Sequence, residues 1–308
     1  MKKNNMDNEL LLFDRIEKIK QIINKFGEDK FYISFSGGKD STVLHYLVDL
    51  ALPNNKIPRV FSNTGIEYQK IVEYVKQLAD KDERFEIITP NKNIKKTLEE
   101  VGYPFKSKEH STKLGQYQRG SRTMSVMKYA NLSGNNSSKY TCPKILQYQF
   151  TSNFDIKISA NCCNELKKKP FKEWAKKNNK PITMTGMRAE EGGQREHITC
   201  IVTRNNEVVK FHPLAVVSEE WEDWFINKYN IKLCKLYYPP FNFKRTGCKG
   251  CPFALTLQEQ LDTMEKWLPA ERKQCELIWK PIYEEYRRIN YRLKPFKQID
   301  IFDEVDYE

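Results

Sequence analysis

The chain contains no apolar stretch long enough to cross a bilayer. A membrane-spanning helix needs roughly 18 to 20 consecutive apolar residues, and no stretch of these 308 residues approaches that length. The start, MKKNNMDNELLLF, is basic but carries neither a long apolar segment nor the small-residue cleavage site of a secretory signal. We therefore expect a cytoplasmic protein without a membrane partner.

The chain also lacks internal repeats and long low-complexity segments, and its acidic residues are outnumbered. Apolar residues make up 39% of the sequence and aromatic residues 12%, which is typical of a globular protein. The 52 Lys and Arg residues against 40 Asp and Glu give a net charge of +12. Such a charge attracts polyanions and favours a DNA or RNA partner. The alternative is a basic enzyme whose charge serves nucleotide binding and solubility.

Strand-like and helix-like segments alternate along most of the chain. Residues 8–26 have apolar side chains at helical spacing, so 1–27 is predicted to be a leading helix. Beyond it, the alternation over 28–245 predicts an α/β fold with a doubly wound parallel sheet. This alternation is interrupted at about 103–150 by a stretch rich in Gly, Ser, Lys, Arg and Tyr. We expect an inserted, mobile basic arm there. A cysteine motif and a helical C-terminal region follow over 246–308.

The stretch SFSGGKDS predicts a phosphate-binding turn. Ser36, Gly37 and Gly38 leave a predicted strand, and Ser41 opens the next helix. Backbone N–H groups and the N-terminus of that helix would converge on one point of positive potential. Lys39 adds a mobile cation. The alternative is a glycine turn with a purely structural role.

The complete Ser-Gly-Gly-Lys-Asp-Ser resembles the loop of the ATP pyrophosphatase (PP-loop) superfamily, which grips the pyrophosphate half of ATP. The resemblance implies an adenine nucleotide α-hydrolase-like fold and ATP with Mg²⁺ as cofactor. It also implies that Lys39 and Asp40 are catalytic and that 36–41 bind the nucleotide.

Two further motifs resemble the phosphoadenylyl-sulfate reductase branch of that superfamily. They are FSNTGIEYQKI, which has Asn63 where the family usually has an acid, and TGMRAEEGGQR. With the loop, the resemblance covers roughly residues 28–255. It places these further residues at the nucleotide: Thr64, Gly65, Glu67, Gly186, Arg188 and Arg195.

Four of the eight cysteines occur in pairs, Cys162 with Cys163 and Cys248 with Cys251. In a chain expected in the cytoplasm, paired cysteines indicate metal or redox chemistry before disulfides. Adjacent thiolates suit one zinc ion poorly but can bind separate irons of a cubane cluster. The order Cys-Cys then Cys-x-x-Cys also resembles the adenylyl-sulfate reductases, which implies a [4Fe-4S] cluster on these four residues. Zinc and unrelated buried cysteines are the alternatives.

Two departures separate the chain from a sulfonucleotide reductase. Those enzymes end in a tail with a nucleophilic cysteine in Glu-Cys-Gly-Leu-His, whereas no cysteine follows Cys275, which we predict to be a core thiol. The reductases also tend to carry an altered loop. The complete loop resembles instead the sulfur-inserting relatives, namely the ATP pyrophosphatase component of DNA phosphorothioation and the cluster-bearing tRNA thiolases.

That resemblance implies an enzyme that binds ATP, cleaves it to AMP and pyrophosphate, and uses a [4Fe-4S] cluster in sulfur transfer to a nucleic acid. The sulfur would come from a donor protein such as a cysteine desulfurase. Two alternatives stay open: an adenylyl-sulfate or phosphoadenylyl-sulfate reductase whose nucleophile is supplied otherwise, and a non-catalytic nucleotide-sensing module.

Overall fold

The computed structural model describes residues 2–134, 141–192 and 195–295, and the side chains of all of these except 2–5 and 191. Six strands within these ranges form one sheet. They are β1 (Phe31–Phe35), β2 (Arg59–Ser62), β3 (Phe85–Ile88), β4 (Ile182–Met184), β5 (Ile201–Arg204) and β6 (Glu207–Phe211). No helix in the described ranges is both long and apolar enough to span a bilayer.

The strand order is β3-β2-β1-β4-β6-β5, and every neighbouring pair is parallel except β5 with β6. The predicted α/β fold is confirmed, with the difference that this edge is antiparallel. The cause is the two-residue connection of Asn205 and Asn206, whose φ angles of 49° and 63° suit a tight hairpin turn. A connection this short can join only antiparallel strands.

Apart from the strands, the regular structure of the described residues is mainly α-helical. They are α1 (Lys2–Phe26), α2 (Lys39–Ala51), α3 (Gln69–Ala79), α4 (Ile94–Val101), α5 (Lys108–Gln118), α6 (Met124–Tyr129), α7 (Lys169–Lys177), α8 (Glu219–Lys228), α9 (Leu257–Trp267), α10 (Pro269–Ile278) and α11 (Lys280–Arg288). A π-helix, Asn164–Lys168, runs directly into α7.

Alternate residues of β1 face opposite sides of the sheet and pack against different helices. Phe35 packs edge-on against His45 of α2, with ring centroids 6.3 Å apart. Tyr32 packs against Trp174 of α7 at 5.1 Å. β1 therefore sits at the centre of the sheet with a helical layer on each face.

The chain reverses direction across the sheet at β1. From β1 it proceeds outward to β2 and β3, and then returns to β4 on the other side of β1. Such a switch point opens a crevice at the carboxyl ends of the two central strands, which is where ligands bind in open α/β sheets. The loops after β1 and β4 border this crevice.

The chain divides into two compact units. The first, here called the sheet unit, comprises the described residues of Met1–Asn93 and Asn164–Cys248 and holds the entire sheet. The second, here called the helical unit, comprises those of Ile94–Cys163 and Lys249–Glu308 and holds α4 to α6 and α9 to α11.

The stretch expected to be a mobile arm contains ordered helices. Half of 103–150 lies in α5, α6 and a 3₁₀ helix, Lys144–Phe150, while 135–140 lie outside the described residues. Leu114 and Val126 are fully buried, and so is His110, whose ring nitrogens lie 3.1 Å from the Tyr129 hydroxyl and 2.8 Å from Gln149 Oε1. These few buried side chains fix a segment whose composition is rich in turn-forming residues.

Candidate nucleotide site

The loop between β1 and α2 is shaped by its two serines and two glycines. Ser36 and Ser41 hydroxyls lie 3.0 Å apart, and the Gly38 N–H donates to the Ser36 hydroxyl at 3.3 Å. Gly37 has φ +71°, and a Cβ there would lie 2.8 Å from Ile71 Cγ2. Glycine is required here because both the backbone conformation and the space exclude a side chain.

Lys39 begins α2, and its ammonium is held by carboxylates of α8. Its Nζ lies 2.9 Å from Glu219 Oε1 and 3.2 Å from Asp223 Oδ1. Burial works against the charge, but the hydrogen bonds to these carboxylates outweigh it and raise the pKa of Lys39. Lys39 is therefore cationic at neutral pH, and an incoming phosphate competes with two exposed carboxylates for it.

The loop after β4 brings an arginine to the same point. A Cβ on Gly186 would lie 2.6 Å from the Asp40 carbonyl oxygen, so only glycine allows this loop to approach the start of α2 so closely. The Arg188 side chain is buried, with Nε 3.6 Å from Asp40 Oδ1 and Nη1 donating to Glu190 at 2.7 Å. Glu190 also accepts the N–H of Glu219 at the start of α8.

Glu222 of α8 is a residue of this site that the sequence analysis did not identify. Its side chain is fully buried, with one carboxyl oxygen 3.3 Å from Arg188 Nε. Burial, reinforced by the neighbouring Asp40 carboxylate and opposed by Arg188, raises the pKa of Glu222 to about 9. Glu222 is therefore protonated at neutral pH, so that Glu190 and Asp40 are the ionised carboxylates beside Arg188.

A second group that the sequence analysis missed comes from the segment just before Cys248. The Lys39 N–H donates to the Tyr237 hydroxyl at 2.9 Å, and that hydroxyl lies 2.8 Å from Thr246 Oγ1. Lys244 and Arg245 line the same cavity. The basic run FNFKRTG beside the Cys-x-x-Cys was the available signal.

These elements enclose a cavity of about 550 Å³ at the carboxyl edge of the sheet. Its lining includes the cations Lys39, Arg188, Arg195, Lys244 and Arg245 and the carboxylates Asp40, Glu190 and Glu219. A smaller cavity of about 210 Å³ shares Ser36, Thr246 and Gly247 with it and is bordered by Phe61 and Phe171. One part of the crevice is thus cationic and the adjoining part is largely apolar.

The second predicted motif lies beside the smaller cavity. The buried Glu67 carboxylate accepts the Thr64 N–H and hydroxyl, each at 2.8 Å, and Gly65 has φ +79°. Lys167 Nζ lies 3.3 Å from Glu67. Glu67 therefore holds the turn after β2 in shape, and the structure does not leave its carboxylate fully available to a ligand.

The structure describes only part of the third predicted motif, TGMRAEEGGQR. Arg195 is exposed at the rim of the larger cavity, whereas Gly193 and Gln194 lie outside the described residues. The loop, Gly186 and both arginines nevertheless meet at one edge, since the switch point brings the carboxyl ends of β1 and β4 together.

Comparison with known families agrees with this geometry. The model of the family described as the phosphoadenosine phosphosulfate reductase domain matches residues 30–254. The chain belongs to this family. The match covers β1 to β6 and the segment up to the Cys-x-x-Cys.

Similarity to individual proteins is lower. An uncharacterized protein of Methanocaldococcus jannaschii is 26% identical over 259 residues, covering 80% of this chain and 49% of that protein, so the chain spans about half the length of this curated relative. The phosphoadenylyl-sulfate reductase of Candida auris, solved with phosphate, has a TM-score of 0.44 at 13% identity and covers 76% of this chain and 87% of that one. The FMN adenylyltransferase of Candida glabrata has a TM-score of 0.45 at 13% identity, covering 75% and 59%.

The four cysteines of the predicted cluster are divided between the units. Cys248 ends the sheet unit, and Cys162, Cys163 and Cys251 belong to the helical unit. None of the eight cysteines forms a disulfide. Within the described ranges, no three or more His, Cys, Asp and Glu side chains form a group that could hold a metal ion. The structure thus assigns no metal centre, and the iron–sulfur cluster stays a prediction.

Cys275 is a core residue, as predicted. Its side chain is fully buried in the helical unit, and burial raises the pKa of its thiol to about 12. A thiol of this kind is a poor nucleophile, because the thiolate is the reactive form.

Proposed function

We propose that the chain binds ATP in the crevice at the carboxyl edge of the sheet and cleaves it to AMP and pyrophosphate in the course of sulfur transfer to a nucleic acid. In this reaction an acceptor oxygen attacks the α-phosphorus, and the bond to the bridging oxygen breaks. Pyrophosphate leaves, and the terminal sulfur of a persulfide on a donor protein such as a cysteine desulfurase then attacks the activated acceptor. AMP leaves with the acceptor oxygen, and a dithiol reductant cleaves the disulfide that has formed.

One observation carries the proposal: five cationic side chains line the cavity into which the complete loop opens. Preorganised cations and backbone N–H groups aimed at a developing negative charge are an effective way to lower a barrier. Lys39 and the amides of 37–38 would stabilise the leaving pyrophosphate, with Arg188 beside them. Asp40, in the first turn of α2, holds Arg188 near the loop.

The division of the crevice supports ATP as the ligand. The cationic cavity suits the triphosphate. The smaller cavity, with Phe61 and Phe171 on its walls, suits the adenine ring. Thr246 and Gly247 border both, so one ligand can occupy both cavities at once.

Mg²⁺ fits the carboxylates at this site. Magnesium is usually bound by one or two carboxylates together with substrate phosphates, and does not require a cage of protein ligands. Asp40 lies on the cavity wall, and its carboxylate could serve in this way. When bound with ATP, the ion would neutralise part of the phosphate charge.

The deciding experiment measures pyrophosphate release by anaerobically purified protein with ATP and Mg²⁺, with and without DNA or RNA. Release that depends on protein supports the proposal, and stimulation by nucleic acid supports a nucleic-acid acceptor. Absence of release under all of these conditions would contradict ATP cleavage.

We further propose a [4Fe-4S] cluster on Cys162, Cys163, Cys248 and Cys251. Support comes from the donor set of four thiols and from the surroundings of Cys248. Lys167 lies beside it, and although burial opposes the charge of that lysine, the Cys248 thiol and the Glu67 carboxylate raise its pKa. A cation in this position would balance the negative charge of a thiolate-bound cluster. No step of the proposed reaction is routed through the cluster.

Iron and sulfide analysis of anaerobically purified protein tests this assignment. We expect about four irons and four sulfides per chain, and loss of both when any one of the four cysteines is replaced by Ser. The matched controls, which should retain iron, are Cys142→Ser, Cys200→Ser, Cys234→Ser and Cys275→Ser. One zinc per chain without iron would contradict it.

A second candidate is reduction of a sulfonucleotide, which the family membership favours. The burial of Cys275 counts against it, because that residue cannot serve as the missing nucleophile without unfolding its surroundings. Sulfite formation from adenylyl sulfate and a dithiol reductant, without pyrophosphate release from ATP, would favour this candidate over ours.

A further inference from the structure

The segment 103–134 of the helical unit carries a concentrated positive charge. It contains a single acidic residue, Glu109, against six basic ones. The six basic residues are Lys106, Lys108, Lys113, Arg119, Arg122 and Lys128. None of the six forms an ion pair with a carboxylate among the residues that the structure describes; Lys113, for example, reaches only the Ser125 hydroxyl, at 3.1 Å. Their charge is therefore available to an external anion.

A cavity of about 530 Å³ lies at the C-terminal end of α5, where this charge meets an aromatic ring. The Arg122 guanidinium lies 3.9 Å from the centroid of the Tyr117 ring. Its Nη1 donates to the carbonyl oxygens of Tyr117 at 2.9 Å and Ser121 at 3.0 Å, which fixes the plane of the guanidinium. Arg119, Lys157 and one acidic residue, Asp155, also line the cavity, and the Lys157 ammonium donates to the Glu100 carbonyl oxygen.

The walls of this cavity are held together by Gln118. Its side-chain amide donates to the Ile156 carbonyl at 2.8 Å and accepts the Ile158 N–H at 2.9 Å. A Cβ on Gly115 would lie 2.5 Å from the Ile158 carbonyl oxygen, so this glycine lets α5 approach the other wall. The cavity is therefore preformed.

A flat cationic and aromatic surface inside a basic cavity matches the chemistry of a nucleic-acid strand. Unpaired bases stack on aromatic rings and on guanidinium planes, while phosphates pair with neighbouring cations. A duplex keeps its bases stacked on one another and does not offer a free base to such a cavity. An anionic membrane would use the charge but not the cavity.

We propose that this cavity binds single-stranded nucleic acid, with one base stacked on the Arg122–Tyr117 pair and flanking phosphates on Arg119 and Lys157. The inference deepens the proposed function and rests on it for the presence of a nucleic-acid acceptor. DNA and RNA share this chemistry, and the test includes both.

The first experiment measures fluorescence anisotropy of labelled dT and rU 12-mers with the full chain at several salt concentrations. The double variant Arg119→Ala/Arg122→Ala should bind at least about tenfold more weakly, and its plot of log affinity against log salt should be flatter by about 1.4, since each phosphate contact to a single strand contributes about 0.7. The matched control Lys176→Ala/Lys177→Ala removes the same charge from exposed positions of α7. An equal loss in both double variants would overturn the proposal.

The second experiment separates stacking from charge. Arg122→Lys retains the charge but removes the planar group, so we expect about tenfold weaker binding of the dT 12-mer. Binding of an abasic strand of equal length should not change. If Arg122→Lys binds the dT 12-mer with wild-type affinity, the proposal that a base stacks on the guanidinium is overturned. Tyr117→Leu removes the aromatic ring of the pair and tests the stacking independently.

Comparison of the two 12-mers decides between DNA and RNA, and sedimentation with phosphatidylserine vesicles tests the membrane. The inference would be overturned if the wild-type chain binds vesicles but neither 12-mer, and if Arg119→Ala/Arg122→Ala abolishes the vesicle binding. Failure of the proposed function can be distinguished from failure of this inference. Strand binding that the variants weaken, without pyrophosphate release, contradicts ATP cleavage and leaves the inference standing. Pyrophosphate release with strand binding unaffected by the variants overturns the inference alone.

Discussion

The two edges of the central sheet each carry a cavity and a cluster of charged side chains, yet they differ in the balance of those charges. At the amino edge, a cavity of about 650 Å³ is bordered by Asp49, Asp82 and Arg84. At the carboxyl edge, the cavity is about 550 Å³ and is bordered by the loop between β1 and α2. Cavity size therefore does not distinguish the edge of the candidate site.

The amino-edge cluster satisfies its own charges. The fully buried Arg59 donates to His45 Nδ1 at 3.1 Å, to Asn55 Oδ1 at 2.8 Å and to Asp49 at 2.5 Å. Arg84 bridges Asp49 and Asp82 through pairs of 2.8 Å and 2.7 Å. Burial, with Arg59 beside it, lowers the pKa of His45 to about 4, so this histidine is neutral and can accept the Arg59 hydrogen bond.

The carboxyl-edge cavity carries an excess of cations. Among the described residues, five cations and three carboxylates line it, whereas carboxylates outnumber cations on the wall of the amino-edge cavity. An excess of positive charge in a cavity attracts an anionic ligand. The sign of the excess charge, and not the size of the cavity, separates the two edges.

The largest effect is expected at the loop itself. Lys39→Ala should lower pyrophosphate release about 100- to 1000-fold, because it removes a charge aimed at the leaving group. The melting temperature should change little, since the side chain pairs with exposed carboxylates. Lys56→Ala, in the amino-edge cavity, is the matched control and should retain full activity. Equal activity of the two variants would remove the distinction between the edges.

The opposite behaviour is expected of Arg59→Ala. This substitution removes a fully buried side chain and one of the two arginines that pair with Asp49, and breaking a buried pair costs about 3 kcal/mol of unfolding free energy. Urea denaturation measures the loss. Nucleotide affinity of the folded fraction should stay at the wild-type level, and a selective loss of affinity at unchanged stability would show that the amino edge is functional.

Glu222→Gln tests the charge state at the carboxyl edge. The folded chain raises the pKa of Glu222 to about 9, so the unfolded chain loses this proton at lower pH and wild-type stability falls as pH rises from about 4.5 to 9. Gln cannot ionise, so the variant should be more stable by about 1 to 3 kcal/mol at pH 8 and no more stable at pH 4. Urea denaturation at both pH values measures this, and a less stable variant at pH 8 would mean that Glu222 is ionised and paired with Arg188.

The smallest effect concerns the restraint on Lys39. Glu219→Gln weakens an ion pair whose carboxylate is more than half exposed, so nucleotide affinity should rise only about two- to fivefold. Isothermal titration with a non-hydrolysable ATP analogue measures the change. Glu83→Gln, at the opposite edge, should leave affinity unaltered, and a decrease for Glu219→Gln would indicate that this carboxylate contacts the ligand.

The sequence was sufficient to predict the α/β fold and the position of the loop, because both depend on local patterns. Buried runs such as FYISF alternate with amphipathic segments, and the two glycines mark the turn between them. The Asn205-Asn206 turn between two strand-like segments likewise predicts a hairpin, and β5 and β6 form it.

The contacts that complete the site could not be predicted, since they join residues far apart in the chain. The Lys39 N–H and the Tyr237 hydroxyl are 198 positions apart, and no local pattern specifies their hydrogen bond. Glu222 follows Trp221 in an ordinary amphipathic helix, so only burial distinguishes it from its exposed neighbours. The helices of 103–150 were missed because residues such as Leu114 and Val126 are few among polar and turn-forming ones.

The pairing of β1 with β4 has a consequence for how the protein acquires its ligand site during folding. Ile33 and Met184 are neighbours in the sheet but roughly 150 residues apart in the chain. Closing so long a loop is slow and entropically costly, whereas β1 to β3 can assemble from near neighbours. The loop after β1 can therefore form early, but Arg188 reaches it only after β4 has paired with β1. Under the proposed function, a nucleotide would stabilise only the chains in which this pairing is complete.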